Sequence, residues 1–515
     1  MDTVTQHNRG NTTGVAESNF LPAPKIDLDR GNNIRRLSFF SAFLLSLGIG
    51  GVGAPKSVTN AFRDLSPTAA AALENLEPRQ AVANESESDP QLKFSPSQLE
   101  EMKEYGVTAE LQIQINESID KAKSFLIESF YAGGKSWKHL FNASIDTPAG
   151  QHALGILALL SRDIDPEEQI VSDLFASSDL NDVTKSNLTY THALRGLASA
   201  SYIRALQEKY IDPPENLPKS SATYKKASAI LKKSTNYLLK NFNSESEGWR
   251  YPDDRSTPAH PKDGILVDVS NTQYAFLALR EAYDLSTSRT EKLKIAKIIE
   301  RAVDYILKTQ KSFGEEVQLW ITNPDSSSNR YEKFIPWQKA EANGWGYTQD
   351  RPASGSMTAA AMACLDVAEY ILIKEGLLEP TSPKAKKITS AKFSGLAWMT
   401  KNFRLDYNPG SSIWRMYFFH ALERFANFYK IKHFVTTNSI GQPISTNWYV
   451  KGAEELLKIQ SEKGSWPEGG SNGFSSSFID TCFATLFLKK ETRALNTESL
   501  PRPVTTPGAK EVSQR

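Results

Sequence analysis

The sequence predicts an all-α fold made of repeated helical hairpins. Three observations lead to this class: a helical pattern that recurs along the chain, a segment rich in Ala and Leu after each copy, and a turn with glycine and tryptophan between several of the pairs. Alternating helices of two kinds are typical of helical-repeat proteins. The repeated body extends over residues 101–490 of 515.

The first helix of each hairpin carries a basic or small residue, a small residue, an aromatic–aliphatic pair and then Gln or Phe. Spacings of i to i+5 and i+9 place these residues on one face of a helix. Five copies begin at Lys121, Lys233, Arg301, Ser394 and Lys451. In the last copy Glu455 replaces the aromatic residue. A sixth first helix is expected within 165–187, where the pattern is poorly marked.

The second helices are predicted from six segments rich in small residues. They begin at Gln151, Thr191, Asn271, Met357, Trp414 and Asp480. Turns such as Gly248-Trp249 precede them, since glycine stops a helix and tryptophan covers its end. In the Arg301 copy this dipeptide is Gly344-Trp345, displaced by an insertion rich in Ser and Asn. Six hairpins can close into a ring or continue as an open solenoid, and composition does not choose between them.

Composition excludes several classes of function. Sixty basic and fifty-nine acidic residues give a net charge of +1, so no nucleic-acid partner is expected. Two cysteines provide no disulfide framework, and the seven histidines include no HExxH motif. No glycine-rich phosphate loop is present. We therefore predict no cofactor.

The two ends of the chain differ from the body. Residues 1–36 are polar and predicted to be disordered, and they end in Arg35-Arg36. The uncharged stretch 37–54 is predicted to be a signal peptide or an uncleaved membrane anchor. Residues 55–100 are interpreted as a disordered linker, and 491–515 as a disordered tail. These features indicate an exported, periplasmic or membrane-anchored bacterial protein.

A family resemblance narrows the fold. The run Lys451-Gly452, Leu456, Gln460, Gly464 and Trp466 resembles the QW motif of squalene and oxidosqualene cyclases. The body also resembles exported proteins of planctomycete-type bacteria that carry prenyltransferase/squalene-oxidase repeats. The resemblance implies a closed α/α toroid, an α6/α6 barrel, in which the N-termini of the inner helices surround the mouth of a central cavity. It also implies that the QW motifs are structural.

The catalytic acids of the cyclases are not retained. Their Asp-x-Asp-Asp-Thr motif aligns with Asp268-Val269-Ser270-Asn271-Thr272 and with Ser477-Phe478-Ile479-Asp480-Thr481. A serine hydroxyl does not protonate an alkene, so a protonation-initiated cyclase is not expected. Asp268 and Ser270 are interpreted as helix caps, with Asp268 and Asp480 kept as candidate acids for a different reaction.

The zinc site of protein prenyltransferases is incomplete as well. Those enzymes hold zinc with Asp-x-Cys and a later His, and Asp480-Thr481-Cys482 matches the first part. No histidine follows Asp480 in the sequence. Asp480 and Cys482 are therefore weak zinc candidates, and a capping Asp with a packed Cys is the simpler interpretation.

Two histidines are the remaining catalytic candidates. His152 and His192 occupy the same position of adjacent second helices. In a closed ring they would face the cavity mouth, where they bind an anion or act as acid and base. The alternative, which we favour, is that they bond loop carbonyls and hold the first two repeats together. The other candidates for the mouth are Gln151, Ser270, Asn271, Thr272, Thr358, Trp414, Arg415 and Thr481.

Three functions remain open at this point. The first is a toroid without polyene-cyclase activity that binds a small apolar ligand or a protein in its cavity or at its rim. The second is an isoprenoid-type cyclase or transferase with non-standard catalytic residues. The third is a glycan-active lyase or hydrolase with an aromatic cleft. A filled centre favours the first, an apolar aromatic cavity the second, and a groove with two carboxylates about 5–10 Å apart the third.

Overall fold

Helices form most of the structure, as the sequence predicts. The computed structural model describes residues 94–141, 148–161, 164–182, 189–211, 216–251, 267–322, 334–438, 440, 442–466, 476–490 and 492. All of these belong to the compact unit Ser88–Arg515. The signal or anchor segment 37–54, nearly all of the linker and most of the tail lie outside the described residues.

The α-helices alternate along the described chain between two sets. The first set, which carries the five recurring motifs, is α2 (Ala109–Ala132), α4 (Gln169–Ala176), α6 (Ala222–Lys240), α8 (Arg289–Thr309), α10 (Pro383–Lys401) and α12 (Trp448–Ile459). The second set is α3 (Pro148–Leu160), α5 (Thr189–Lys209), α7 (Val269–Leu285), α9 (Gly355–Lys374), α11 (Arg415–Phe428) and α13 (Ser477–Lys489). A further helix, α1 (Pro96–Tyr105), precedes them.

The second-set helices pack against one another in chain order. Contacts join α3 to α5, α5 to α7, α7 to α9, α9 to α11 and α11 to α13, and α13 also packs against α3. First-set helices pack outside them, with contacts from α4 to α6, α6 to α8, α8 to α10 and α12 to α2. We call the two sets the inner and outer helices. Small residues on the inner helices allow this close approach.

Tryptophan joins four of the five marked outer helices to the turn that follows. The indole N–H groups of Trp137, Trp249, Trp345 and Trp466 donate to backbone carbonyl oxygens of α2, α6, α8 and α12 at 2.7–2.9 Å. All four side chains are fully buried. A buried indole needs a partner for its N–H, and a backbone carbonyl of the preceding outer helix provides one.

The inner helix α9 shows how apolar this layer is. Among the described residues it is the single helix long and apolar enough to cross a bilayer, and 83% of its apolar window is buried within the protein. Burial of this extent is typical of a core helix. Cys364 lies on α9 and is fully buried, as expected for a small apolar side chain.

Three features differ from the sequence-based expectations. The insertion before Gly344 contains an antiparallel hairpin, β1 (Glu316–Thr322) and β2 (Phe334–Glu341). A second hairpin, β3 (His433–Thr437) and β4 (Pro443–Asn447), was not predicted. Helix α1 begins at Pro96, inside the predicted linker 55–100, because Ser95 and Gln98 form a capping box. The poorly marked interval 165–187 contains the eight-residue helix α4.

Candidate functional site

The position shared by the two candidate histidines points towards the outer helices. His152 is fully buried, and its Nε2 lies 3.0 Å from the carbonyl oxygen of Leu174 on α4. Burial lowers the pKa of His152 to about 4, so the ring is neutral at physiological pH. His192 stacks on Tyr237 of α6, with ring centroids 3.7 Å apart. Both contacts link one repeat to the next, which agrees with the structural interpretation.

Four other residues hold the same aligned position, and their side chains also point towards an outer helix or the turn that follows it. The hydroxyl oxygens of Thr272, Thr358 and Thr481 accept the backbone N–H of the tryptophan in each turn, at 3.0–3.2 Å. Arg415 donates to the Leu405 carbonyl at 2.9 Å and pairs with Glu455 at 3.2 Å. The expectation that these side chains face a cavity mouth is therefore corrected, because each contacts an outer helix or its turn.

Asp268 caps helix α7, as interpreted from the sequence. Ser270 is not a cap, because it lies inside the first turn and its hydroxyl contacts Tyr417. The carboxylate of Asp268 accepts the backbone N–H of Asn271 at 2.7 Å and the side-chain amide of Asn271 at 2.8 Å. Asp268 and Asn271 are both fully buried. Burial raises the pKa of Asp268 to about 7, although the bonds from Asn271 favour the charged form.

A chain of hydroxyl groups passes through Ser270. Tyr417 donates its single O–H to Gln273 Oε1 at 2.9 Å, so the 2.9 Å contact between Ser270 Oγ and the Tyr417 hydroxyl is donated by Ser270. Ser270 in turn accepts from Tyr190. The Tyr190 ring packs on Tyr274 with centroids 4.7 Å apart. These side chains fill the space between the N-terminal halves of α5, α7 and α11.

The weak zinc site has no support from geometry. Cys482 is fully buried, and burial raises the pKa of its thiol well above the usual value. A thiolate ligand is therefore disfavoured. Asp480 is also buried, in the first turn of α13. Within the described ranges, no group of three or more His, Cys, Asp or Glu side chains is placed to hold a metal ion.

The remaining mouth candidates are also enclosed. Gln151 lies in α3 and is buried. Trp414 is half-buried and precedes α11 in the left-handed conformation, with φ of 67°. A cavity lies at the opposite end of the inner helices. It is lined by none of the catalytic, metal or mouth candidates that the sequence suggests.

This cavity has a volume of about 810 Å³ and lies at the C-terminal ends of the inner helices. Its apolar floor is formed by Leu157, Leu197 and Leu277, which occupy one aligned position of α3, α5 and α7. His420 holds the same position in α11. Helix α1 and residues Lys490 and Thr492 complete the wall.

Most charged side chains of the wall are paired. Arg204 lies 2.5 Å from Glu281, and Arg280 lies 2.7 Å from the other oxygen of the same carboxylate. Lys490 pairs with Glu101 at 3.3 Å. These pairs neutralise much of the wall, and they hold α5 to α7 and α1 to the C-terminal segment.

Arg424 is the exception. Its side chain is 5% exposed, and within the described part of the chain its guanidinium has no carboxylate within 4 Å. Its one hydrogen bond there joins Nη2 to Nε2 of His420 at 2.5 Å. Burial and the nearby Arg424 charge lower the pKa of His420 well below its usual value, so the ring is neutral. Because Arg424 only donates, His420 accepts through Nε2 and carries its proton on Nδ1.

The neighbouring acid, Glu423, forms no ion pair with Arg424 within 4 Å, although the Arg424 charge lowers the pKa of its carboxyl. Glu423 is fully buried and accepts from Asn427 at 2.6 Å and from the backbone N–H and hydroxyl of Thr492 at 3.0 and 2.7 Å. Burial raises the pKa of Glu423 to about 7. Glu423 thus joins α11 to the C-terminal segment at the cavity rim.

Comparisons with known proteins add no relative. No protein-family model matches the chain, no curated protein matches it, and no solved structure matches it.

This cavity is not predicted from the sequence, because the candidate site residues all lie towards the N-terminal ends of the inner helices. One signal was available: His420 and Arg424 are polar residues four apart on one face of helix α11, which is rich in aromatic and aliphatic residues. Buried polar residues on one apolar face indicate either a partner helix or a cavity.

Proposed function

We propose that the inner helices close into a ring and that the fold is an α/α toroid, an α6/α6 barrel. The packing of each inner helix on the next, and of α13 on α3, supports a closed ring. The contact between outer helices α12 and α2 supports it too. Gln460 of α12 also donates to the carbonyl oxygen of Ser118 in α2 at 2.9 Å.

Within this ring, the function we propose is binding of a small ligand in the C-terminal cavity, without polyene cyclisation. The observation that carries the proposal is the position of the open space. Between the N-terminal halves of α5, α7 and α11, where a cyclase acid would act, Ser270 is hydrogen-bonded to Tyr190 and Tyr417. The open 810 Å³ is at the other end and is of a size that encloses one small molecule.

The two enzyme alternatives receive less support. The candidate acids Asp268 and Asp480 are buried and do not line the cavity. Glu281, an acidic side chain of the cavity wall, is engaged by two arginines. A glycosidase needs two carboxylates that are free to exchange protons and attack, which this wall does not favour.

A pair of tryptophan substitutions tests the location of binding. Ser201 lines the cavity from α5, whereas Gln207 lies on the exposed face of the same helix. The probe is N-phenyl-1-naphthylamine, a neutral aromatic amine whose fluorescence rises in apolar surroundings. We expect saturable binding by the unmodified protein and by Gln207→Trp, and loss of binding in Ser201→Trp. Absence of saturable binding by the unmodified protein contradicts the proposal, and equal binding by Ser201→Trp contradicts the site.

We further propose that the protein is exported or held at a membrane through residues 37–54. The support for this is that an uncharged run follows Arg35-Arg36 in the sequence. Cells expressing the full chain and a 55–515 form are fractionated. Equal recovery of both forms as soluble cytoplasmic protein contradicts this localisation.

A further inference from the structure

The buried positive charge of Arg424 is not compensated by a carboxylate in the described part of the cavity wall. A buried charge is costly unless an opposite charge or several hydrogen bonds compensate it. Arg204, Arg280 and Lys490 each have a carboxylate within 3.3 Å. Among the described residues Arg424 has none, although it is only 5% exposed.

The geometry leaves part of the guanidinium available to a ligand. Of the five N–H groups of an arginine, Arg424 uses Nη2 on His420. Its Nε and Nη1 have no hydrogen-bond partner in the described ranges, and they are not among the unpaired nitrogens enclosed by protein. The Arg424 side chain lines the cavity. These N–H groups are therefore free to donate into it.

Neighbouring aromatic and imidazole groups orient Arg424 without neutralising it. The ring of Tyr274 lies 5.8 Å from the guanidinium carbon, near the outer limit of a cation–π contact. The neutral His420 accepts one N–H, and its own ring stacks on Phe483 with centroids 5.6 Å apart. Both contacts restrict the side chain, so a ligand meets a positioned fork of donors.

The rest of the floor is apolar. Leu157, Leu197 and Leu277 line the cavity, and Leu157 and Leu277 are each 7% exposed. A charged ligand without an apolar part leaves this surface in contact with water. A ligand with an apolar body buries it, which contributes about 25 cal/mol for each Å² removed from water.

The partial negative charge at helix C-termini repels an anion. The strength of this repulsion at Arg424 depends on its distance from the helix ends. That effect falls off within the last turn of a helix. Arg424 lies one turn before the end of α11 at Phe428, at the level where the floor begins. A full positive charge at hydrogen-bond distance outweighs partial charges located farther away.

We propose that the cavity binds a small organic anion, a carboxylate or phosphate attached to an apolar body, with the anionic group on Arg424 and the body on the leucine floor. This inference rests on the proposed function, because it names the ligand class of the same cavity. Arginine matches both anions through paired N–H donors.

The test uses four probes that share one chain length: octanoate, octyl phosphate, 1-octanol and octylammonium. Binding to the full-length protein is measured by isothermal titration calorimetry. We expect the two anions to bind about tenfold or more tightly than 1-octanol, as a charge-assisted hydrogen bond implies, and octylammonium to bind least. Inorganic phosphate alone separates the head group from the body, and we expect it to bind more weakly than octyl phosphate.

Matched variants locate the charge that matters. Arg424→Gln removes the buried cation, and Arg404→Gln removes an exposed one outside the cavity. We expect Arg424→Gln to lose the tenfold preference for anions and to keep its affinity for 1-octanol, while Arg404→Gln matches the unmodified protein. Arg424→Lys retains the charge without the fork and is expected to fall between the two.

The outcomes separate this inference from the proposed function. Equal affinity of the unmodified protein for octanoate and 1-octanol overturns the anion assignment and leaves a general apolar cavity. Binding of none of the four probes overturns both proposals. Anion preference that survives in a folded Arg424→Gln variant, judged by circular dichroism, overturns the role of Arg424.

Discussion

Replacement of Glu423 by Gln removes a charge from the cavity rim while keeping its hydrogen bonds. Glu423 accepts from Asn427 and from the backbone of Thr492 through Oε1, and from the Thr492 hydroxyl through Oε2. In Gln the amide oxygen keeps the first two bonds, and the amide nitrogen donates to the hydroxyl. The side chain remains similar in shape, so the comparison isolates ionisation.

The size of the effect follows from the pKa. Burial raises the pKa of Glu423 from its usual 4.5 to about 7 in the folded state. A raised pKa means that the folded protein binds the proton more tightly than the unfolded chain, so stability falls as pH rises from 4.5 to 7. The difference in pKa, at about 1.36 kcal/mol per pH unit, corresponds to about 3 kcal/mol of unfolding free energy lost above pH 7.

Urea unfolding of the full-length protein at pH 5 and pH 8.5, followed by tryptophan fluorescence, measures this. We expect Glu423→Gln to gain about 2.5 kcal/mol relative to the unmodified protein on going from pH 5 to pH 8.5, because part of the loss has already occurred at pH 5. Asp268, whose pKa is also raised to about 7, contributes equally to both proteins and cancels. Glu128→Gln, at an exposed position of α2, is the control. A constant difference between Glu423→Gln and the unmodified protein across pH refutes the reasoning.

Three further predictions concern the core. Trp249→Phe removes the indole hydrogen bond to α6 and is expected to lower the unfolding free energy by about 2–4 kcal/mol in the same urea assay. Trp320→Phe is the control, because the Trp320 indole nitrogen has no hydrogen-bond partner in the described ranges. It is expected to cost less than about 1 kcal/mol. Both cysteines should resist a thiol reagent in the native protein and react after unfolding, because burial raises their pKa values; rapid native reaction contradicts this. Neither the unmodified protein nor the double variant Ser270→Asp/Asn271→Asp should cyclise squalene, because Tyr190 and Tyr417 occupy the space beside residue 270; cyclised product from either overturns that reasoning.

The Arg415–Glu455 pair illustrates what repeat analysis does and does not detect. Glu455 stands where other copies carry an aromatic residue, and Arg415 stands where three copies carry threonine. Each substitution alone is a departure from the pattern. In the structure the two side chains are 3.2 Å apart, so one contact between repeats is replaced by an ion pair. Because Arg415 and Glu455 lie on different helices, their pairing is visible only in the packed structure.

The hairpins and the short helix α4 show the same limit at the level of local structure. The strands β1 and β2 lie in a segment that composition describes only as an insertion rich in Ser and Asn. The segment between the strands is rich in Asn, Pro, Asp and Ser, which predicts a loop. Such a loop does not by itself fix the register in which the two strands pair. Helix α4 has eight residues, too few for a periodic pattern to stand out.

The sequence by itself determined that the chain is helical, that the helices alternate between two kinds, and that the cyclase acids are absent, because periodicity and residue identity are local properties. Tertiary structure decided which face of each inner helix meets another inner helix and which meets an outer helix. That choice places His152 and His192 against outer helices, brings Tyr190 and Tyr417 to Ser270 and leaves Arg424 at a cavity. The physical reason is that burial and pairing of a charge depend on side chains from several helices, whose relative rotation no single segment encodes.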